Sequence, residues 1–476
     1  MTNKRILCFL FIINIFFVLS GLCFAQSITW QRTYNRLNGW PDEAYDICQS
    51  TDGNFYLAGS SYLGGIYVLK INQYGDTIWT RAEIGGIAYA VTASGDGGCV
   101  LTGLRSNKSF TVKYSASGVI VWNKEYSGTQ MYNQDIVATI DGYVICGTDW
   151  ATYFDGYYAK VDLQGNLVWE KYYPSDDSRS FNSVINSGDD GYVFTGKIDT
   201  TGYPSQATIM KTDNNGNILW EKRYLMNGIG AVGIEIQKIS QGFLIGGRTG
   251  DSTYTIERAF ILRVDNNGNF INQKVFISNE DEYFQHISVA TENRYVMSIF
   301  RYGSGWTIYG KILVIDSIGN IIREKYLNDS NQIVLNSSLC LPNGDILFAG
   351  MSEFDNITHE DVFAARTDSN LNVPPPIGIQ NTNSGIIKSF KLLNNYPNPF
   401  NSTTTIQFEI AKPSNITIKI FDINGRLVTK LLCNSYVSAG NYKIKWEAIN
   451  LPSGLYFITL ETEEGFKDAM KIILVK

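Results

Sequence analysis

The fold is decided by a stretch that reads Lys160-Val161-Asp162-Leu163-Gln164-Gly165-Asn166-Leu167-Val168-Trp169. It joins an apolar run to a tight polar turn with Gly, and then to a second run that ends in Trp. The pattern returns with its Trp at 70–79, 113–122 and 211–220, without it at 263–272 and 314–323, and in part from Arg366. Repetition of this kind is typical of solenoids and propellers, in which each repeat buries its apolar face against the next.

A second marker, a Gly that leads a short apolar strand, accompanies each copy of the first. It stands at Gly53, Gly97, Gly142, Gly191, Gly242 and Gly344, and Asn293 replaces the Gly in the remaining copy. Spacings of 44 to 51 residues leave room for four short strands in each repeat. Asp-Gly pairs such as Asp52-Gly53 favour the tight turns that join neighbouring antiparallel strands. Each repeat is therefore predicted to be a four-stranded antiparallel sheet.

The two ends of the repeat region complement each other. Residues 30–34 are a Trp strand without a preceding turn, whereas the copy that begins at Arg366 has a turn without a Trp strand. A ring whose last repeat takes its outer strand from the N-terminus explains both facts, and it leaves only short, protected edges. We therefore predict an all-β chain with a seven-bladed β-propeller, and the alternative is an open β-solenoid, which does not need complementary ends.

The loops of such a propeller sort by face. If the strands of a blade are lettered a to d from the axis outward, the a–b and c–d turns are tight, whereas the b–c and d–a loops are long, varied and aromatic. Variable loops on a rigid scaffold are where binding residues usually lie. The candidate binding residues on this face are Trp40, Asp42, Glu43, Trp150, Tyr153, Arg179, Glu282 and Trp306.

The turn-and-Trp pattern resembles the tryptophan-docking repeat of quinoprotein-like propellers. The resemblance implies a shared architecture, in which Trp79, Trp122, Trp169 and Trp220 pack between blades. Asn272 and Arg323 replace the Trp in two copies, and the chain lacks the adjacent cysteine pair found in many quinone dehydrogenases. We predict no quinone and no other cofactor.

Metal sites are also not favoured by the sequence. His286 and His359 lie in different repeats without a ligand partner at short spacing, so no zinc site is predicted. His286, near Glu282 on an inner strand, is expected to be a structural histidine, and the alternative is a pocket residue. Residues 213–217 and 265–269 offer oxygen ligands that Ca²⁺ accepts, but the same residue types favour tight turns. We predict turns there rather than calcium sites.

The N-terminal residues indicate an exported protein, and the distribution of charge does not favour binding to nucleic acid. Lys4 and Arg5, the apolar run from Ile6 to Leu19, and Cys23-Phe24-Ala25 before Gln26 are typical of a signal peptide. Residues 381–476 hold 11 basic and 7 acidic residues, an excess of four positive charges, and the signal adds two. Since the overall net charge is −6, the residues between the signal and 381 carry a net charge of −12. An acidic region of this kind does not favour binding to nucleic acid.

Five cysteines follow the signal: Cys48, Cys99, Cys146, Cys340 and Cys433. Their number is odd and none are close in sequence, so we predict small buried side chains rather than a disulfide framework. Cys48 and Cys340 precede the second strand of repeats that a closed ring would make neighbours. They are the pair whose bonding the sequence leaves open.

The last eighty or so residues carry the most specific pattern. They run from Asn395-Tyr396-Pro397-Asn398-Pro399 through Gly425, Gly440 and Gly454-Leu455-Tyr456 to Lys471. This segment resembles the type A C-terminal sorting domain of the type IX secretion system. The resemblance implies a small immunoglobulin-like β-sandwich, recognition by the type IX machinery, and release or attachment to anionic lipopolysaccharide at the cell surface. The motif residues are Pro397, Asn398, Pro399, Gly425, Gly440, Gly454, Tyr456 and Lys471.

The predicted organisation has four parts. They are a signal peptide at 1–25, the propeller at 26–373, a linker at 374–392 that contains Pro374-Pro375-Pro376, and the sorting domain at 393–476. We expect a monomer that is secreted or held at the cell surface and binds a glycan or a protein without catalysis. The alternatives are a carbohydrate-active enzyme that uses Asp42, Glu43 or Glu282, since glycoside hydrolysis needs paired carboxylates, and a purely structural surface component.

Overall fold

A computed structural model gives the fold and describes residues 28–34, 42–61, 65–83, 85–126, 131–149, 155–173, 177–250, 256–291, 293–302, 308–327, 332–353, 360–372, 380–383, 389–412, 414–437, 440–448, 451–462 and 465–476. These residues form 36 β-strands and no helix, so none of them belongs to a helix that could cross a membrane. The predicted signal peptide lies outside the described residues.

The repeat region forms seven four-stranded antiparallel sheets within the described ranges. Six of these blades follow the chain from the inner strand to the outer one. Their strands are β2 Asp42–Gln49, β3 Phe55–Ser61, β4 Gly65–Ile71 and β5 Thr77–Glu83; β6 Ile87–Ala93, β7 Cys99–Arg105, β8 Lys108–Tyr114 and β9 Ile120–Glu125; β10 Met131–Ala138, β11 Gly142–Asp149, β12 Asp155–Asp162 and β13 Leu167–Tyr173; β14 Ser178–Asn186, β15 Gly191–Asp199, β16 Gln206–Asp213 and β17 Ile218–Tyr224; β18 Ala231–Ile239, β19 Gly242–Gly250, β20 Glu257–Val264 and β21 Phe270–Val275; β22 Glu282–Thr291, β23 Arg294–Tyr302, β24 Ile308–Asp316 and β25 Ile321–Leu327.

The seventh blade is closed by the N-terminus, as the sequence predicts. Its first three strands are β26 Gln332–Cys340, β27 Ile346–Glu353 and β28 Glu360–Thr367, and its outer strand is β1 Trp30–Tyr34. Strand β1 pairs with β28 so that Trp30 lies opposite Arg366 and Tyr34 opposite Val362. The inner strand β2 contacts both β6 and β26, so the blades form a closed ring. The prediction of a seven-bladed propeller is confirmed, and the open solenoid is not.

The repeated Trp residues pack between blades, as expected. Trp122 donates its indole N–H to the carbonyl oxygen of Leu163 at 3.0 Å, in the c–d turn of the next blade. Gly165 of that turn has φ +76°, and a Cβ added there would come within 2.8 Å of the Trp122 ring. Only a glycine accommodates both the left-handed backbone and the ring. The same Trp–Gly contact joins Trp30 to Gly75 across the ring closure.

The polar turn residues of the repeats are engaged within the protein. The Asp213 carboxylate accepts the backbone N–H groups of Asn215 and Asn217 at 2.9 and 2.8 Å, and Asp265 caps its turn in the same way. Strand c adds an ion pair, since Lys160 Nζ lies 2.9 Å from the Asp141 carboxylate of the a–b turn. These residues therefore act as turn formers.

The cysteine side chains of the propeller are free thiols. Cys99 and Cys146 are buried, and Cys48 and Cys340 are half-buried. Cys48 lies beside the cluster that contains Cys99, whereas Cys340 lies against the cluster of the sixth and seventh blades and contacts Ser288. Cys48 and Cys340 are thus unpaired in this structure.

The C-terminal segment forms a β-sandwich of two four-stranded sheets. One sheet has the order β29 Gln380–Asn383, β34 Gly440–Glu447, β31 Thr403–Ile410 and β30 Lys391–Tyr396; the other has the order β33 Leu427–Val437, β32 Ser414–Asp422, β35 Gly454–Thr462 and β36 Lys467–Leu474. Alternate residues such as Ile406 and Ile444 of the first sheet and Ile418 and Ile458 of the second form one buried core.

One predicted boundary differs from the structure. The predicted linker, 374–392, contains strand β29, which pairs with β34 at the edge of the sandwich, and the start of β30. Residues 380–383 read Gln-Asn-Thr-Asn and have no apolar alternation, so the sequence gives no strand signal there. Backbone pairing with the edge of an existing sheet makes this segment a strand.

Candidate functional site

Each inner strand of the propeller carries a β-bulge at the same height. The pairing of strands a and b skips one residue in every blade: Tyr45, Tyr89, Gln134, Asn182, Ile234, Gln285 and Asn336. A bulge turns its extra residue out of the ladder and re-aims the side chain. All seven bulge residues line one cavity on the propeller axis. We call them the bulge ring.

This axial cavity has a volume of about 670 Å³. Besides the bulge ring it is lined by Glu43 at the start of an inner strand, and by Arg248 and Phe300 toward the ends of b strands. Starts of a strands and ends of b strands adjoin the d–a and b–c loops. The cavity therefore lies toward the face on which the sequence predicts function, and its volume is within the usual range for ligand pockets.

In most blades the residue after the bulge connects neighbouring blades. The Asp46 carboxylate accepts the backbone N–H of Val91 in the next blade at 2.9 Å, and the hydroxyl of Ser337 in the preceding blade at 2.9 Å. Asp135 likewise accepts the N–H of Val184 at 2.8 Å. These bonds give partners to backbone N–H groups on the inner strand of the neighbouring blade. The carboxylates below the bulge ring thus hold the blades together.

Burial shifts the ionisation of these groups. It raises the pKa of Asp135 to about 7, although the hydrogen bond from Val184 acts in the opposite direction. Burial also raises the pKa of Asp46 and, with the Asp135 charge, that of Glu235. It lowers the pKa of His286 to about 4. The floor of the cavity is therefore less charged at neutral pH than its residue types indicate.

His286 has a defined tautomer. The backbone N–H of Ser338 points at its Nδ1 at 3.3 Å, so Nδ1 acts as the acceptor and the proton is assigned to Nε2. Nε2 lies 3.9 Å from Glu235 Oε1. These contacts agree with a structural histidine, but His286 also lines the axial cavity, and the carboxylate beside it is Glu235 rather than the expected Glu282.

Among the predicted residues that the structure describes, Glu43 lines the axial cavity. Its carboxylate accepts the side-chain amide of Asn336 at 2.8 Å, and burial raises the pKa of Glu43 against the effect of this bond and of the Tyr45 hydroxyl. The neighbouring Asp42 is 1% exposed and does not line the cavity. The alternation of a strand explains this, because successive side chains point to opposite faces.

Two further predicted residues are enclosed by structural partners. Arg179 forms an ion pair with Glu221 at 2.9 Å and lies over the Tyr173 ring at 3.8 Å from its centroid. Glu282 is 1% exposed and is bound by Lys311 at 2.6 Å. Neither lines the cavity. The other predicted binding residues lie outside the described residues: Trp40, Trp150, Tyr153 and Trp306.

Sequence reasoning missed the bulge ring because nothing in one strand marks a bulge. A signal is nevertheless present in the repeats. The residue after the bulge stands seven positions before the Gly marker in most blades, as in Asp46 and Gly53 or Asp135 and Gly142. An alignment of the repeats on that marker collects Asp46, Asp135, Glu235, His286 and Ser337 into one column and places Ser183 one position away from it.

The structure offers no metal centre in the parts that it describes. Within those ranges no three His, Cys, Asp or Glu side chains are grouped so that they could hold an ion.

The sorting motif residues occupy turns and contacts of the sandwich. Asn398 accepts the N–H of Ile473 at 3.0 Å, and Tyr456 donates its hydroxyl to the carbonyl of Pro452 at 2.8 Å. Gly425 has φ +74° in the turn between β32 and β33. The remaining motif residues are Pro397 and Pro399 after β30, Gly440 and Gly454 at the starts of β34 and β35, and Lys471 opposite Phe457. The structure thus places them throughout the sandwich.

Comparisons with known proteins match both parts of the chain. Residues 394–476 match the family described as the secretion system C-terminal sorting domain. No curated protein matches the chain. Solved structures with a similar shape include Drosophila Plexin A in complex with Semaphorin 1b, with 9% identity over 72% of this chain and 86% of that chain, and a TM-score of 0.45.

A second structure of similar shape is the periplasmic gluconolactonase of Pseudomonas aeruginosa. Its identity is 10% over 62% of this chain and 90% of that chain, with a TM-score of 0.41. Likenesses this distant carry no functional argument, and the propeller is established by its own strand order. The sorting domain supports export through the type IX secretion system and interaction with its machinery. The chain is therefore a seven-bladed β-propeller that carries, at residues 394–476, the C-terminal sorting domain of a secretion system.

Proposed function

We propose that the propeller is a carbohydrate-binding module, secreted or held at the cell surface, whose site is the axial cavity. The observation that carries this proposal is the chemistry of the bulge ring. Two of its members are tyrosines and four are Gln or Asn, and all of them line the cavity of about 670 Å³. Amides pair with sugar hydroxyl groups as both donor and acceptor, and aromatic rings bury apolar area at low entropic cost.

The aromatic part of the site lies at the first two blades. The rings of Tyr45 and Tyr89 have centroids 5.6 Å apart at an angle of 52°. Both line the cavity, so they offer two differently inclined faces to one ligand. The apolar faces of sugar rings pack on such surfaces, and the tilt distinguishes one ring orientation from another.

The polar part of the site has hydrogen-bonding capacity to spare. Asn182 donates to the Gly233 carbonyl at 2.7 Å, and Asn336 donates to Glu43. The side chains of Gln134 and Gln285 form no hydrogen bond with any residue that the structure describes, and both line the cavity. Uncommitted amides in a concave site favour a ligand rich in hydroxyl groups.

A glycan-array screen of the mature chain, residues 26–476, tests the proposal. We expect specific binding, and we expect Tyr45→Ala and Tyr89→Ala each to weaken it by tenfold or more, which corresponds to about 1.4 kcal/mol. Tyr203→Ala is the matched control, because Tyr203 lies in a b–c loop, is 72% exposed and lines neither the axial cavity nor its neighbour. A blank array on folded protein contradicts the proposal and favours a protein ligand.

A carbohydrate-active enzyme is the second candidate, favoured by the raised pKa of Glu43 in the cavity, which burial causes. A carboxyl whose pKa is raised is better suited to the role of general acid that glycoside cleavage needs. Asp42 and Glu282, the other predicted carboxylates, do not line the cavity, so the enzyme would need a different partner for Glu43. Turnover of a polysaccharide that is lost in Glu43→Gln supports this function; binding without turnover contradicts it.

A further inference from the structure

A second cavity adjoins the first one. This lateral pocket has a volume of about 410 Å³ and lies where the fifth blade meets the sixth, below a loop of the fourth. Its polar and aromatic lining consists of Ser205, Arg248, Thr249, Glu257, Asp281 and Tyr283. Ser205 belongs to a b–c loop and Asp281 to a d–a loop, so the lateral pocket is on the same face as the axial cavity.

The two cavities are separated by a single layer of side chains. Arg248 and Ile234 line both of them. Phe300 of the axial cavity stacks on Tyr283 of the lateral pocket, with ring centroids 4.9 Å apart and an interplanar angle of 10°. The Arg248 guanidinium lies 5.4 Å from the centroid of the same Tyr283 ring. A ligand that leaves one cavity therefore meets the other directly across Arg248.

Arg248 has N–H donors that no described residue accepts. Its Nε donates to the carbonyl oxygen of Phe284 at 2.9 Å, which fixes the guanidinium plane. No carboxylate of the described residues lies within ion-pair distance of it, and burial lowers the pKa of Arg248. A guanidinium has five N–H donors. Leaving the remaining N–H donors of a partly buried cation unpaired costs free energy, which a bound ligand recovers.

The rest of the lateral pocket supplies acceptors. Asp281 accepts the backbone N–H of Glu257 at 2.8 Å through one carboxylate oxygen, and burial raises the pKa of Glu257. One arginine among two carboxyl groups does not favour an anionic ligand, since the carboxylates oppose it. The mixture of donors and acceptors suits the hydroxyl groups of a neutral sugar, each of which donates and accepts.

We propose that the lateral pocket is a second sugar subsite, and that the ligand is a neutral oligosaccharide that passes from the axial cavity across Arg248 into it. This rests on the proposed function. The axial cavity then binds one end of the chain on Tyr45 and Tyr89, and the lateral pocket binds further units through Glu257. Arg248 contacts the chain at the junction, so the site selects for chain length as well as for sugar type.

Titration calorimetry of the mature chain with cello-, manno-, xylo- and chito-oligosaccharides of increasing length tests this. We expect affinity for the bound series to rise by tenfold or more from the single sugar to the longer chains. Arg248→Met, which keeps the stem but loses the donors, should remove most of that gain. Glu257→Gln lies only in the lateral pocket, so it should weaken binding of long chains about fivefold and leave the single sugar unchanged.

The outcomes separate this inference from the proposed function. An affinity that does not depend on chain length, with the Tyr45→Ala loss retained, overturns the lateral subsite and leaves axial binding intact. A length dependence that both variants keep also overturns it. Absence of binding throughout all four series defeats both proposals. Melting temperatures of the variants show whether each is folded. If Arg248→Met does not fold, Glu257→Gln alone tests the lateral subsite.

Discussion

Gly165 illustrates how one residue fixes the contact between two blades. Equivalent glycines stand at Gly75, Gly118, Gly216, Gly268 and Gly319, all with positive φ. The seventh turn has Leu371 instead, with φ +64° and a buried side chain. A side chain fits there because the facing residue is Arg323, which bonds to the Ser369 carbonyl, and not a tryptophan. Trp and Gly are thus both replaced at this contact, whereas Gly319 is kept opposite the strand in which Asn272 replaces the Trp, with Lys274 against it.

Gly165→Ala tests the cost of that contact. The new Cβ would lie 2.8 Å from the Trp122 ring at a φ of +76°, so we expect a loss of about 2–4 kcal/mol in the free energy of unfolding. Gly53→Ala is the control, since Gly53 has φ +79° but nothing within 4 Å of a Cβ. We expect it to cost only about 1–2 kcal/mol. Equal losses in urea unfolding would show that Trp122 does not constrain the turn.

The groups below the bulge ring make stability depend on pH in opposite directions. Burial lowers the pKa of His286 to about 4 from its usual 6.5, so the unfolded chain binds the proton more readily and the stabilising contribution is lost as pH falls through this window. Burial raises the pKa of Asp135 to about 7, so the folded state retains a proton and this contribution is lost as pH rises toward 7.

Asp135→Asn should therefore gain stability relative to the parent chain as pH rises from about 4 to about 7, by about 1 kcal/mol or more, because one pKa unit corresponds to about 1.4 kcal/mol. His286→Asn should show the reverse, a loss that is largest near pH 7 and disappears near pH 4. Asp213→Asn is the control, since hydrogen bonds from Asn217 lower the pKa of that exposed carboxyl. Parallel curves for Asp135→Asn and Asp213→Asn in urea unfolding would contradict this account.

Strand β1 decides whether the ring is closed. It supplies the outer strand of the seventh blade, and Trp30 reaches across the closure to donate to the Gln73 carbonyl of the first blade at 3.0 Å. Arg366 beside it donates to the same carbonyl at 3.1 Å and to Asp345 at 2.7 Å. The strand pairing and these side-chain contacts both stabilise the junction between the seventh and the first blade. Without β1 the edge of β28 would be open for pairing with another chain.

Removal of residues 26–34 should open the junction between the seventh and the first blade. We expect a loss of about 3 kcal/mol or more, the cost of removing a single buried tryptophan, and concentration-dependent oligomers from the exposed edge. Removal of residues 26 and 27 alone, which leaves β1 intact, is the control. Light scattering and thermal unfolding measure both effects. A shortened chain that stays monomeric with an unchanged melting temperature would mean that β1 is dispensable.

The elements of the propeller could be predicted from sequence because the same turn and strand pattern recurs in each repeat. Trp169 and Gly165 mark a turn and an outer strand in one blade, and five further copies confirm the reading. The axial site could not be predicted in this way. Tyr45 becomes a cavity residue only because the β2–β3 register skips it, and register depends on pairing between strands. Asp42 and Glu43 are adjacent in sequence, yet only Glu43 lines the cavity.

At the scale of the whole molecule, the sandwich at the C-terminus decides where the propeller acts. Removal of residues 395–476 should leave the propeller in the periplasm, because the sorting domain at 394–476 is the part that the secretion machinery recognises. Cell fractionation and immunoblotting measure this. As a control, residues 380–476 joined to an unrelated periplasmic protein should carry it out of the cell. Export of the shortened chain at the normal level would mean that the signal lies elsewhere.

The closure of the ring by β1 also has a consequence in time. A ribosome makes β1 first and its partner β28 more than three hundred residues later, so the first strand to emerge waits for the last blade. The sorting domain is synthesised later still. A chain that ends before β28 therefore lacks both the strand that pairs with β1 and the sorting domain. The order of these elements along the chain therefore links complete synthesis to closure of the ring and to export.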